Sequence, residues 1–331
     1  MVDNLFKKFS KSNVLVIGDV MIDAYWIGQV TRVSPEAPVP VLEVKQRDYR
    51  LGGAANVALN IKSLGANPIL CGVIGQDEHE SLFTKLLNEH GLSNEGIVSL
   101  PQRTTTVKYR MIANKTQMIR VDEEDNTPLN PEEQIAFVKR VDDLISRKSI
   151  DSIIFEDYDK GLLSQETIAH IVSLARSKQI VIAVDPKKRN FHHYQGVTLF
   201  KPNLKELKDG LFQDDETLSL KQIHKLMQNF AHKMNIDYMM TTLSERGIAI
   251  YDRQKDNFSS YPAFLRKIGD VSGAGDTVIS VATLSLLAGI PATTVAAMAN
   301  LAGGIVCEYA GVVPIDAAVF KEQLLKEALL P

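Results

Sequence analysis

"IGDVSGAGDTVISVATLSLLAG" (268–289) makes two demands on the fold. The run after Asp276 is apolar on nearly every side, and a helix of that kind has to be covered all round. Sheet on one side and helices on the other is the usual way to do it. Gly289 and Pro291 end the run, as helix-terminating residues do. In front of it, Gly273, Ala274 and Gly275 form a loop with almost no side chains, between Asp270 and Asp276. Such a loop can aim backbone N–H groups outward, and the helix dipole adds positive potential at the same place. Glycine matters because a side chain would keep an anion away from the backbone. Asp276 then falls on the first turn, where a carboxylate can take a proton from an attacking hydroxyl. Phosphoryl transfer asks for these parts: donors at the phosphate, a cation and a base. A plain glycine turn with Asp276 as a first-turn acid accounts for the same letters. No lysine follows the glycines, so this is not a Walker A loop.

Outward from this stretch the chain alternates short apolar runs with helical patterns. Residues 14–20, 68–75, 152–158, 180–186, 198–203, 238–243 and 247–252 read as strands, several of them apolar throughout. Residues 54–64, 79–90, 131–147, 164–178, 218–234, 276–288, 292–309 and 316–329 read as helices. The expected fold class is therefore α/β, a doubly wound, mostly parallel sheet in one unit spanning 1–331. Segments 24–50 and 104–122 break the rhythm and are expected to form a small β lid. The second reads as a hairpin turning near Asn114-Lys115. With a two-residue turn, Tyr109, Met111, Met118, Arg120 and Asp122 share one face. Two irregular surface excursions would fit the pattern as well.

Bulk properties narrow the function class. The chain has 331 residues, 45% of them hydrophobic and 23% charged, with a net charge of −3. No basic surplus marks a nucleic-acid footprint. Cys71 and Cys307 form no metal-like cluster and read as reduced thiols. With no signal-like h-region and no apolar run long enough to span a bilayer, the expected setting is soluble and cytoplasmic.

Other stretches add candidates. "LGGAANVALNIKSLGA" (51–66) puts Gly52, Gly53 and Asn56 at a helix start, where backbone can approach a ligand and Asn56 can bind a hydroxyl. An ordinary capped helix explains it equally. "FKPNLKEL" (200–207) carries Asn203 and Glu206 on one helix face. The pair can orient a hydrated Mg²⁺ or form a capping box. "GDVMID" (18–23) places Asp19 and Asp23 at the exit of the first strand, where open α/β sheets bind ligands. GxGxxG is absent, which weakens a Rossmann oxidoreductase.

In this order the motifs resemble the ribokinase-like carbohydrate kinase family along essentially the whole chain. "DVSGAGDT" is similar to its C-terminal signature and "GGAANVA" to its N-terminal one, with "NLKE" between. "SPEAPVPV" (34–41), "GDVMIDAYW" (18–26), "DYDKGLL" (157–163) and "DPKK" (185–188) resemble the D-glycero-β-D-manno-heptose 7-phosphate kinases within it. The resemblance implies that ATP gives its γ-phosphoryl group to the C1 hydroxyl of the heptose 7-phosphate, a step in making ADP-heptose for lipopolysaccharide. It implies Asp276 as base, the amides of Gly273, Ala274 and Gly275 as anion hole, and Asn203 and Glu206 organising Mg²⁺ through water. It implies Asp23, Gly52, Gly53 and Asn56 on sugar hydroxyls, and Ser244, Gly247 and Asn300 beside the nucleotide. Asp270 and Ser272 match positions near a K⁺ site in some members. The sugar phosphate calls for cations. Among Lys108, Arg110, Arg120, Lys160, Lys187 and Lys188, the favoured pair is Arg120 and Lys160.

A homodimer is expected through lid strand "VPVLEVK", with neither nucleic acid nor membrane as partner. Many chains of this kind continue into an adenylyltransferase domain; this one is either a stand-alone kinase or a portion cut at a domain boundary. The rivals are another sugar or nucleoside kinase of the family and a non-catalytic nucleotide- or sugar-sensing module on the same scaffold.

Overall fold

In the computed structural model, which describes residues 2–114, 116–264 and 269–330, the strand runs assemble into two sheets. Lys115, in the expected hairpin turn, and Ile268, which begins the quoted loop, lie outside the described residues. The larger sheet has nine strands. Across it run β13 (Asn257–Tyr261), β12 (Ile248–Asp252), β11 (Tyr238–Thr242), β10 (Leu199–Phe200), β9 (Val181–Asp185), β8 (Ser152–Glu156), β1 (Asn13–Gly18), β4 (Asn67–Gly75) and β5 (Gly96–Leu100). All neighbours are parallel except the β11–β12 and β12–β13 pairs.

The helices are α1 (Val2–Phe9), α2 (Ala54–Ser63), α3 (Glu80–Glu89), α4 (Pro131–Arg147), α5 (Gln165–Ser177), α6 (Leu204–Gly210), α7 (Leu220–Met234), α8 (Ala274–Leu287), α9 (Ala292–Val306) and α10 (Ala317–Lys326). They cover both faces. Val14 and Val16 of β1 join one core with α1, α2, α3, α8, α9 and α10. Leu15 and Ile17 join the other with α4, α5, α6 and α7. Side chains alternate across a strand, so an unbroken apolar run feeds both cores at once. The expected fold class is what forms.

The lid is a separate four-stranded sheet in the order β3 (Pro40–Gly53), β2 (Val20–Val33), β6 (Val107–Ala113) and β7 (Thr116–Glu123). Both irregular segments contribute, as expected. The run 14–20, however, is not one strand: it breaks at Asp19, and Val20 already belongs to the lid. Three elements escaped the reading, namely α1, β5 and β13. The amphipathic spacing Val2, Leu5, Phe6, Phe9 in α1 was hidden by a polar composition.

The hairpin corrects the expected face. Ala113 pairs with Thr116, as a two-residue turn requires, but a bulge follows, and Met111 lies opposite Ile119 rather than Met118. Because side chains have period two, one extra residue moves everything beyond it to the other face. Arg120 therefore opposes Arg110, not Tyr109, and Asp122 opposes Lys108. Register across β2 and β3 puts Asp23, Tyr25, Asp48 and Arg50 on that same face.

Candidate active site

Carboxyl ends of adjacent parallel strands bring the polar residues together. Asp19 follows β1, Glu156 ends β8, Asp185 ends β9, Lys201 and Asn203 follow β10, and Ser244 follows β11. The chain order reverses direction around β1, which lies between β8 and β4. A crevice outside the strand ends at such a switch point is where open α/β sheets bind ligands.

Asp276 is the centre of this edge. It sits in the first turn of α8 and is 3% exposed. Asn56 Nδ2 donates to its Oδ2 at 2.7 Å, and the Tyr158 hydroxyl donates to its Oδ1 at 3.1 Å. Asn60 steadies Asn56 from below: its Nδ2 donates to the Asn56 carbonyl, and its Oδ1 accepts from Thr277 and the Ile315 N–H. Burial lifts the Asp276 carboxyl to about 7, against the two donors and with Asp185 adding to the rise. A group so poised is protonated and deprotonated with equal ease near neutral pH, which suits a base.

Gly273 caps α8 with φ 78°, in the left-handed region. The Ala274 N–H bonds the Val271 carbonyl at 3.3 Å, and the first helical bond runs from Thr277 N–H to Gly273 O. Among the described residues the N–H groups of Gly273, Gly275 and Asp276 have no protein acceptor. The open donors of the loop are thus not quite the expected trio: Ala274 is spent and Asp276 joins. At a helix N-terminus they make an anion site.

Behind the loop lie charges that sequence reasoning missed. Lys201, 2% exposed, pairs with Asp185 at 2.7 Å. Glu156 is buried with Oε2 unpartnered. Burial first, and the neighbouring Asp185 next, hold the Glu156 carboxyl well above its ordinary range. Burial works against the charge of Lys201, yet Asp185 and Glu206 outweigh it and raise its pKa. The available signals were a charge at the end of each buried run, in "SIIFE" and "LFK".

Asn203 and Glu206 do form a capping box on α6, with both bonds at 2.8 Å. Glu206 also pairs with Lys187. Gly247 and Asn300 meet at one segment. A Cβ on Gly247 would lie 2.0 Å from the Tyr261 carbonyl, and Asn300 Nδ2 donates to Pro262 O at 2.8 Å. Ser244 has φ 55° in the 3-10 turn leading to Gly247.

The lid's charged face looks onto the helix start. Tyr25 OH accepts from the Val312 N–H at 2.9 Å, and Arg50 donates to the Ala310 and Val312 carbonyls, each at 3.1 Å. Asp23 is buried against Arg110, and a Cβ on Gly52 would stand 2.2 Å from its Oδ2. Gly53 caps α2 with φ 58°, close over the Asp19 carbonyl. Lys160 pairs with Glu124 at 2.7 Å, and Lys108 reaches both Glu124 and Asp122. Arg120, 51% exposed at its side chain, holds only Asp122 among these acids. Asp270 does not present a bare carboxylate: its oxygens accept the N–H groups of Ser272 (2.9 Å) and Gly311 (3.0 Å). Burial opposes those bonds, but they prevail and hold its pKa low.

These features sit on a ribokinase-like scaffold. A family model described as "pfkB family carbohydrate kinase" matches residues 11–317, and the chain belongs to that family. Its activity class is that of an ATP-dependent sugar kinase. It is 37% identical over 314 residues to the bifunctional protein HldE of Methylobacillus flagellatus, covering 94% of this chain and 63% of the relative. The chain thus spans somewhat under two thirds of that relative's length. Among solved structures, phosphofructokinase-2 from Escherichia coli in complex with substrates and products superposes with a TM-score of 0.78 at 17% identity, covering 96% of this chain and 99% of its own. Ribokinase from Arabidopsis thaliana complexed with ribose and ATP gives 0.69 at 15%, covering 94% and 99%. At those identities the likeness speaks for the fold. No helix among the described residues is long and apolar enough to cross a membrane.

Proposed function

We propose that the protein transfers the γ-phosphoryl group of ATP to the C1 hydroxyl of D-glycero-β-D-manno-heptose 7-phosphate, giving the 1,7-bisphosphate used to make ADP-heptose. The observation that carries the reading is the buried Asp276 carboxylate, held by Asn56 and Tyr158 at the foot of the open amides of α8. In this reading the amides of Gly273, Gly275 and Asp276 receive the migrating phosphoryl group while Asp276 takes the proton of the attacking hydroxyl. Asn56 Oδ1, buried and unpartnered, is an acceptor for a sugar hydroxyl. Asp23, beside Gly52, is a second, with Gly53 leaving room for the ring.

ATP is assigned to the edge formed by Asn203, Ser244, Gly247 and Asn300. The residues present fit a hydrated Mg²⁺. Glu206 is an anionic oxygen donor of the kind Mg²⁺ takes, and the orphaned Glu156 oxygen is a further oxygen donor whose ionised form a cation would favour. Asn203 and Glu206 would hold the ion through water. When bound, the ion neutralises phosphate charge. Asp270 and Ser272 enter the proposal as a K⁺ site only if the Asp270 oxygens exchange their present N–H partners. The sugar's phosphate is assigned to Lys160 and Arg120, where it would compete with Glu124 and Asp122 for the cations. A homodimer through the lid belongs to the same proposal, supported by the exposed apolar residues Met118, Ile119 and Val121 on β7.

A panel of the heptose 7-phosphate, fructose 6-phosphate, ribose and adenosine, read by ADP release, tests the substrate. Equal turnover of unphosphorylated ribose would refute the heptose phosphate, and binding without turnover would favour a sensing module. Asp276→Asn should lower kcat on the best acceptor roughly 10²–10⁴-fold, the range of general-base catalysis, and leave ATP binding in place. Wild-type rates in that variant remove Asp276 from the chemistry.

A further inference from the structure

Tyr158 lies in "DYDKGLL" and takes no role in the resemblance drawn above, yet it touches the base. Its loop is fixed from several sides. The Tyr158 N–H donates to Asp19 Oδ2 at 2.8 Å, and the Asp157 N–H donates to the Asp185 carbonyl at 3.1 Å. The Asp157 carboxylate accepts from Asn190 (2.9 Å) and Tyr194 (2.9 Å), both buried. Lys187 Nζ lies 5.2 Å from the Tyr158 ring centre. The hydroxyl is therefore delivered to Asp276 Oδ1 by a braced backbone, on the side of the carboxylate away from Asn56.

We infer that Tyr158 is a positioning residue for the base. Its hydroxyl fixes the Asp276 carboxylate in one orientation and supports its ionised form, so that the oxygens face the acceptor ready to take a proton. The surroundings make such a donor necessary. Burial and, from β9, Asp185 push the Asp276 proton affinity up, Lys201 from beyond β10 opposes them, and Glu156 at the end of β8 is a buried acid raised in turn by Asp276. Asn56, on α2, is the other neutral donor. A hydrogen bond to an ionised group is worth more than one to a neutral group, so its removal favours the protonated acid. The inference rests on the reading of Asp276 as base.

The test is Tyr158→Phe, which keeps the ring and removes only the hydroxyl. With ATP and D-glycero-β-D-manno-heptose 7-phosphate, the acidic limb of kcat against pH should move up by about one unit. At pH 6.5 kcat should drop about tenfold and recover towards wild type above pH 8, with the KM for ATP unchanged. A structural role alone would lower kcat equally at every pH, and an unmoved limb overturns the inference. A second measurement needs no substrate: ¹³C-carboxyl titration of aspartate-labelled, ligand-free protein, with the Asp276 signal identified by its loss in Asp276→Asn. That midpoint should rise in Tyr158→Phe; an unchanged midpoint also overturns the inference. If Tyr158→Phe fails to fold, 3-fluorotyrosine at 158, a stronger donor of the same shape, should move both the limb and the midpoint down, and no movement counts against. Loss of activity in Asp276→Asn with no limb shift in Tyr158→Phe would sink this inference alone. Full activity in Asp276→Asn would sink the base reading beneath it.

Discussion

Gly273 shows how much one residue holds at this site. Its φ of 78° falls where a Cβ is costly, and a Cβ there would stand 2.9 Å from Asn56 Nδ2, the donor that fixes Asp276. Gly273→Ala should therefore lose stability by roughly 1–2 kcal/mol from the left-handed backbone alone. It should lose turnover about 10²-fold because the base is displaced. Urea unfolding and steady-state kinetics would separate the two losses; a variant that lost stability but kept kcat would show that Asn56 has room to move. The importance of Gly273 and Asp276 is legible in sequence because the loop and the helix it opens are contiguous. Tyr158, Lys201 and Glu156 were not legible as partners of Asp276. Glu156 and Tyr158 stand at the end of β8 and Lys201 follows β10, and only parallel stacking brings these ends to the start of α8.

At the level of elements, local chemistry and tertiary packing part ways in the lid. The four strands follow from alternation, but the face that Arg120 occupies was misread because a bulge carries no letter of its own. Met118 is an ordinary strand residue, and the twist of a paired hairpin, not propensity, inserts it. At α6 the letters "NLKE" read both as a ligand pair and as a capping box, and the same two side chains do close the box. The corrected face makes a prediction. Arg120→Ala should raise the KM for the phosphorylated sugar several-fold, in keeping with a lost, partly exposed charge-assisted contact, while the KM for ATP stays put. Val121→Ala, on the opposite face of β7 and also exposed, should change neither. Equal effects from the two substitutions would mean that the charged face does not meet the sugar phosphate.

Over the whole molecule, the strand ends gather acids that are stabilised poorly as anions, and stability should record it. Burial raises Asp276 and Asp19 from 3.8 to about 7 in each case, and lifts Glu156 in the same direction. The unfolded chain releases these protons near pH 4, whereas the folded protein keeps those of Asp276 and Asp19 until near pH 7. Across that window the native state binds more protons, so unfolding free energy must fall as pH rises and level off above about 7. Carboxylates held low by partners, such as Asp122, Glu124 and Asp270, act the other way only at more acidic pH. Between pH 5 and 8 the buried acids therefore dominate. Asp276→Asn removes one of them while leaving an amide that can still meet Asn56 and Tyr158. The variant that loses catalysis should thus melt higher than wild type at pH 8, by several degrees for a gain of about 1–3 kcal/mol. At pH 5 the gap should be smaller, and it should close near pH 4, where the carboxyl is protonated in the folded and the unfolded chain alike. Thermal unfolding of both across that range checks it, and parallel curves would mean that Asp276 ionises in the fold as easily as in water.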